Sequence, residues 1–302
     1  MALADRHTTP ASPPRVEWVV EQSRLRCMVG WPAGRPPLAQ VLPLFEHLGL
    51  VLTDHRPEES ADSFVFFRVE DPALDEVLPW LAEAFTAAWQ HTVDRDDFAS
   101  LVLQAHLDAR QVQLVRAACQ YLRQAGLGAS RSYVRGILSG HREFVQHWVE
   151  VFEQRFNPDG PSSADSRLAK YADAATTRDE FRVLDWYAGL LEAITRTNYF
   201  RRGSDGRPPL TTVFKLDPAR LPFATDPAVK VETFVHHPAT PASMRRALSA
   251  VASRVCAMRI FQPSSVFSLP PGSPSLSIPV STSLSGRVGA SAERGQGPGR
   301  PS

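Results

Sequence analysis

Asp94–Pro158, DRDDFASLVLQAHLDARQVQLVRAACQYLRQAGLGASRSYVRGILSGHREFVQHWVEVFEQRFNP, is the stretch that decides how this chain is read. Its apolar residues recur three and four apart, which predicts three successive helices. Val145, Trp148, Val149, Phe152 and Phe156 form the clearest stripe, and a helix must bury such a stripe. Asp108 is placed to cap the helix carrying Leu114, Ala118, Tyr121, Leu122 and Ala125. Gly126 and Gly128 supply the left-handed backbone that ends it, and Ser130 starts the next. Asp94, Asp96 and Asp97 suggest a cation site, but acidic residues at a helix start are better explained by capping and the helix dipole. Arg131, Arg135 and His141 would make a basic face, without the interleaved aromatics that stack bases.

Upstream, residues 1–19 contain three prolines in their polar first part and read as a disordered lead-in. From Arg24 the pattern changes, because Leu25, Cys27, Val29 and Trp31 alternate with polar or small neighbours as a strand requires. Pro32-Ala33-Gly34 breaks that strand. Leu38, Val41, Leu42, Phe45 and Leu48 follow at helical spacing, and Gly49 stops the helix. Leu50–Thr53 and Ser63–Val69 read as two more strands, and a helix from about Leu74 to Gln90 closes the module. Strand, helix, strand, strand, helix predicts an α+β, ferredoxin-like βαββα module over residues 20–92.

Downstream, residues 93–200 read as a mostly α-helical module. A turn-rich loop after Pro158 gives way to a helix at Thr177, where Thr177 and Glu180 have capping-box spacing. Phe181, Val183, Leu184, Tyr187, Leu190, Leu191 and Ile194 cover most of that helix, so burial on two sides is expected. Residues 201–238 hold two short strands, TTVFKL and VKVETFV, expected as a hairpin. Adjacent His236 and His237 point to opposite sides of a strand, which argues against a shared metal, and no metal site is expected. Residues 239–302 form a low-complexity segment rich in Ser, Pro, Ala and Arg, expected to be disordered.

Composition sets bounds. Hydrophobic residues at 43%, charged residues at 22% and a net charge of +1 describe an ordinary globular chain and imply no nucleic-acid partner. Three scattered cysteines, Cys27, Cys119 and Cys256, fit reduced thiols in a cytoplasmic protein better than a disulfide framework. No targeting peptide and no long apolar run suggest a membrane.

The order of several blocks resembles the large bacterial NAD-dependent glutamate dehydrogenases. These blocks are the aspartate-rich start, LVL, the helix with LVRA and YLRQAG, and FEQRFNP. LLEAITRTNYF (Leu190–Phe200), VFKLDP (Val213–Pro218) and VETFVHHP (Val231–Pro238) are similar to that family's entry into its catalytic region. VLPLFEHLGLVLTDHRP (Val41–Pro57) is similar to the last of its ACT-type regulatory modules. The resemblance implies a fragment of an enzyme that oxidises L-glutamate to 2-oxoglutarate with NAD as cofactor, homo-oligomeric at full length. It also implies a small amino-acid effector bound near Trp31, Gly34 and Gly49, although turn residues need no ligand to explain them.

The chemistry of that reaction requires substrate-binding lysines, a proton-transferring aspartate and a dinucleotide fold. No lysine follows Lys230, and no GxGxxG follows a strand. No catalytic and no cofactor-binding residue is therefore expected in this chain, and it should bind no NAD by itself. A change of reading frame near residue 240 would account for the altered composition beyond Pro238. The alternative is a stand-alone amino-acid-sensing ACT-like regulatory or interaction protein.

Overall fold

The computed structural model describes residues 12–238, apart from 22–23, 60, 68–70, 161–167 and 224–229, together with strands at 244–248 and 257–259. All of these lie in one unit, Met1–Gln262. The disorder expected of residues 239–302 falls, apart from these two strands, outside the described residues.

The chain begins with β1 (Arg15–Glu21) and β2 (Arg24–Gly30), then α1 (Leu38–His47), β3 (Leu52–Pro57), β4 (Ala61–Phe66) and α2 (Leu74–Trp89). Their sheet has the order β1-β2-β4-β3, and every neighbouring pair is antiparallel. Strands β2 and β3 therefore run the same way with β4 inserted between them, the split arrangement that a β-α-β-β-α chain produces. The α+β class is as the pattern required. One correction concerns the lead-in: residues 15–19 belong to β1, which pairs along its whole length with β2. Three prolines masked a strand that starts directly after the last of them, where a proline is tolerated. Alternation puts Leu25, Cys27 and Val29 inside with Phe64 and Phe66, and Phe45 of α1 stacks among Phe64, Phe66 and Phe85.

The decisive stretch folds as a 3-10 turn (Asp97–Ser100), then α3 (Leu101–Gln104), α4 (Ala109–Gln124), α5 (Arg131–Gly140) and α6 (Arg142–Phe156). Asp108 and Gln111 form a reciprocal capping box on α4, and Ser130 caps α5 through the Tyr133 amide. Gly126 takes φ +114°, which a side chain would resist, and so ends α4. A short α7 (Ala169–Ala172) precedes α8 (Arg178–Ala193), whose Thr177 and Glu180 again form a capping box. Phe181 departs from expectation, because it is exposed while Val183, Leu184, Tyr187, Leu190 and Leu191 are buried. It sits in the first turn of α8, before the helix enters the core.

A second sheet follows in chain order: β5 (Ile194–Thr197), β6 (Thr212–Leu216), β7 (Val231–His236), β8 (Met244–Leu248) and β9 (Ala257–Arg259), all antiparallel. The β6–β7 hairpin is the one the sequence predicts. Strands β8 and β9 are a second correction, because they fall inside residues 239–302. MRRAL is too short to show a strand period by itself, and it is the antiparallel pairing with β7 that makes it a strand.

Gly189 shows how tightly α8 is seated. A Cβ at this position would lie 2.6 Å from Cγ of Pro222. In an exposed helix Gly→Ala stabilises by about 1 kcal/mol, but here overpacking costs roughly 1 to 3 kcal/mol and outweighs it. Gly189→Ala should therefore lower the denaturation midpoint. A raised midpoint would show that Pro222 gives way.

Candidate functional site

Two polar clusters lie where the sequence suggested chemistry. The first surrounds Asp62, a buried carboxylate on β4. Trp31 donates its indole N–H to Asp62 Oδ2 at 2.6 Å, Arg35 approaches the same carboxylate at 3.1 Å and His55 Nε2 lies 3.1 Å from Oδ1. Arg35 also donates to the carbonyls of Glu58 and Ala61. Gly34 closes the turn, donating its amide to the Trp31 carbonyl at 3.1 Å with φ +92°. Trp31 and Gly34 thus share one turn stapled to β4. Gly49 lies past the other end of α1, with φ +79°, and a Cβ added there would lie 3.2 Å from Cβ of Ser100. A ten-residue helix is about 15 Å long, so α1 separates Gly49 from that turn.

The second cluster is built on Arg116, which α4 carries into the core at 2% exposure. Its guanidinium donates to Asp96 Oδ1 at 2.8 Å and 2.9 Å and to Gln113 Oε1 at 2.6 Å. Asp94 Oδ2 is 3.9 Å from the same guanidinium and 2.9 Å from Nε2 of His236 on β7. Tyr121, one turn further along α4, donates to Glu232 Oε2 at 2.9 Å, again on β7. Arg131 and Arg135 of α5 face Asp96 and Asp97 at 3.7 Å and 3.3 Å. Asp96 does cap the 3-10 turn through the Phe98 amide, as acidic residues at a helix start should. Its larger part is to hold a buried cation, a role that local spacing does not show. The available signal was an arginine inside the apolar run LVRAACQYL.

Because each aspartate already faces arginine or histidine, the cluster compensates charge rather than offering open ligands, and among the described residues no group of three or more acidic, His or Cys side chains is arranged to hold a metal. Around it, Phe152, Phe214, Phe234 and Tyr121 pack ring against ring, so α4 and α6 form the seat on which β6 and β7 rest.

The NYF of LLEAITRTNYF extends that seat. Asn198 donates to the Thr211 carbonyl at 2.7 Å and accepts from the Val213 amide at 2.9 Å, stitching its loop to β6. Tyr199 donates to Glu153 on α6 at 2.9 Å, with the Arg110 guanidinium 4.1 Å over its ring. Burial and the Glu153 carboxylate push the Tyr199 hydroxyl well above the ordinary tyrosine range, so it stays a donor. Thiol chemistry is equally suppressed. Burial lifts Cys119 to about 12 and raises Cys27 well above its usual value, so neither of these two described thiols is a thiolate near neutrality. At the other face, His106 lies 2.6 Å from Asp71. Burial raises the Asp71 pKa, but the His106 and Ala73 hydrogen bonds and the Arg142 charge outweigh it and hold it below the usual range.

Comparison with known proteins now places these elements. Residues 93–158 match the family model for glutamate dehydrogenase, helical motif 3, and residues 167–253 match that for the bacterial NAD-glutamate dehydrogenase catalytic domain. The chain is 33% identical to an NAD-specific glutamate dehydrogenase of Halomonas elongata, over 67% of this chain and 14% of that protein. Proteins of the same description from Mycobacterium tuberculosis and Pseudomonas aeruginosa are 33% and 30% identical, each over 67% of this chain and 14% of their own length. The catalytic-domain match runs to residue 253, beyond Pro238 where the resemblance was expected to stop and past the region near 240 where a change of frame was expected.

Proposed function

This chain belongs to the family of NAD-specific glutamate dehydrogenases, and we propose that it serves oxidation of L-glutamate to 2-oxoglutarate as a structural share of a larger enzyme. It spans about 14% of the length of its relatives, so the reaction belongs to an assembly larger than these residues. The observation that carries this reading is the 2.9 Å link from Asp94 to His236. It joins the head of the helical-motif match to a central strand of the catalytic-domain match, as a part that seats catalytic strands on a helical base should.

NAD is the cofactor that the relatives' description names. The described residues do not fit it: both sheets are antiparallel, and dinucleotides bind where parallel strands diverge into glycine-rich turns. The lysines that would hold a glutamate carboxylate are likewise not gathered here, since Lys170 lies on α7, Lys215 on β6 and Lys230 just before β7. We place the enzyme in the cytoplasm as a homo-oligomer. Among the described residues, no helix is long and apolar enough to cross a membrane.

The purified chain should give no glutamate-dependent NADH above a no-enzyme blank. Turnover that survives removal of contaminants would sink the proposal. A second reading, a stand-alone amino-acid sensor, draws on the Asp62–Trp31–Arg35 turn, where a charged pair sits at the end of a strand. A sensor gains stability with ligand, about 2.7 kcal/mol at a hundredfold excess over Kd. A melting temperature that rises with an amino acid would favour that reading, and an unmoved one the structural share.

A further inference from the structure

The two edges of the N-terminal sheet are built differently. Edge strand β3 is blunted in the ways that keep sheets from pairing further: its register shifts between Leu52 and Asp54, it ends in Pro57, and it carries Asp54, His55 and Arg56. Edge strand β1 is a regular seven-residue ladder with no shift and no proline, RVEWVVE. Among the described residues nothing pairs with its outer side. Val19 and Val20 there are 39% and 44% exposed.

We propose that β1 is an interface for a second copy of this chain, the two strands pairing antiparallel about a two-fold axis at Trp18 and joining two four-stranded sheets into one. The occupant is chosen by the strand's own sequence. In this register Arg15 faces Glu21 of the other copy, Val16 faces Val20, Glu17 faces Val19, and Trp18 faces its equivalent. Partners share a face of the sheet throughout, as cross-strand neighbours must. Symmetry repeats the Arg15–Glu21 pair at both ends, so the charges that would guard the edge against a stranger are complementary to themselves. Glu21 already approaches Arg26 of its own chain at 3.0 Å, and both remain substantially exposed. The carboxylate can therefore face a second arginine without leaving water. The valines at positions 16 and 20 would cover each other on the helix side, where Val16 already packs against the core.

Sedimentation of the full 302-residue chain over a range of concentrations tests this, together with hydrogen exchange of amides 15–21. The wild type should dimerise, with those amides protected as the dimer forms. Glu21→Arg sets two arginines opposite each other at both ends and should weaken the dimer about tenfold or more. Arg15→Glu combined with Glu21→Arg restores opposite charges and should recover the wild-type association. Arg15→Glu alone reads the same contact from its other end, so the test stands even if Glu21→Arg fails to fold. Far-UV circular dichroism checks folding in each case. A chain that sediments as a monomer at every concentration would overturn the proposal. So would a dimer indifferent to both single charge reversals, or one whose 15–21 amides exchange as fast as in the monomer.

Discussion

Trp148→Ala should destabilise the fold by roughly 3 to 5 kcal/mol, since truncating a buried tryptophan removes transfer energy and leaves a cavity. The ring is 1% exposed. It stacks with Phe152 at 5.8 Å and meets Tyr187 edge-on at 5.7 Å, and its indole N–H donates to the Tyr187 carbonyl at 2.7 Å. This one side chain fastens α6 to the middle of α8, across the break between the two family matches. For a chain of this size each kcal/mol moves the melting temperature by about 2 to 4 °C, so a fall of roughly 6 to 20 °C is expected. Trp148→Phe keeps most of the volume and should lose less than half as much. Thermal and chemical denaturation of the two variants decide the matter. A Trp148→Ala protein within about 1 kcal/mol of wild type would mean that the site collapses around the missing ring.

The same residue marks what the sequence made legible. Its stripe with Val145, Val149 and Phe152 fixed the helix, its buried face and its boundaries to within a few residues, because apolar periodicity in a fifteen-residue helix is a strong local signal. The partner was not legible in that way. The hydrogen bond and the ring contact of Trp148 go to Tyr187 of α8, a tertiary fact that spacing cannot carry. Caps were read correctly at Asp108, Ser130 and Thr177 because capping is a contact within three residues. Strand β1 is not legible, for the opposite reason. Its partner β2 supplies the ladder, and the prolines before it dominate the local composition. Among the polar residues, those with local roles were anticipated and those with distant partners were not. Asp96 as a cap was visible, but Asp94 reaching His236, 142 positions away, was not.

Arg116 carries the second large effect. A buried guanidinium is tolerated only while its donors are engaged, and here they are taken by Asp96, Gln113 and, more distantly, Asp94. The surroundings are already short of partners, since Asp96 Oδ2 and Gln113 Nε2 are buried without a hydrogen bond. Arg116→Met keeps the length and the apolar stem but puts a thioether beside Asp96 and leaves it only the more distant Arg131 as a cation. Removing one member of a buried ion pair typically costs 3 to 5 kcal/mol, and the 16% exposure of Asp96 lets water relieve part of it, so about 3 kcal/mol is expected. Removing the Asp96 charge as well should return some of that loss. Arg116→Met with Asp96→Asn is expected to be more stable than Arg116→Met alone by at least about 1 kcal/mol, a coupling that a double-mutant cycle measures directly. The consequence should travel, because Asp94 sits two residues from Asp96 and holds His236. Amides of β7 should exchange faster in Arg116→Met than in a distant variant of equal instability. If β7 exchanges no faster, strands β6 and β7 are held by the Phe214, Phe234 and Tyr121 packing alone, and the polar link is dispensable to the seat.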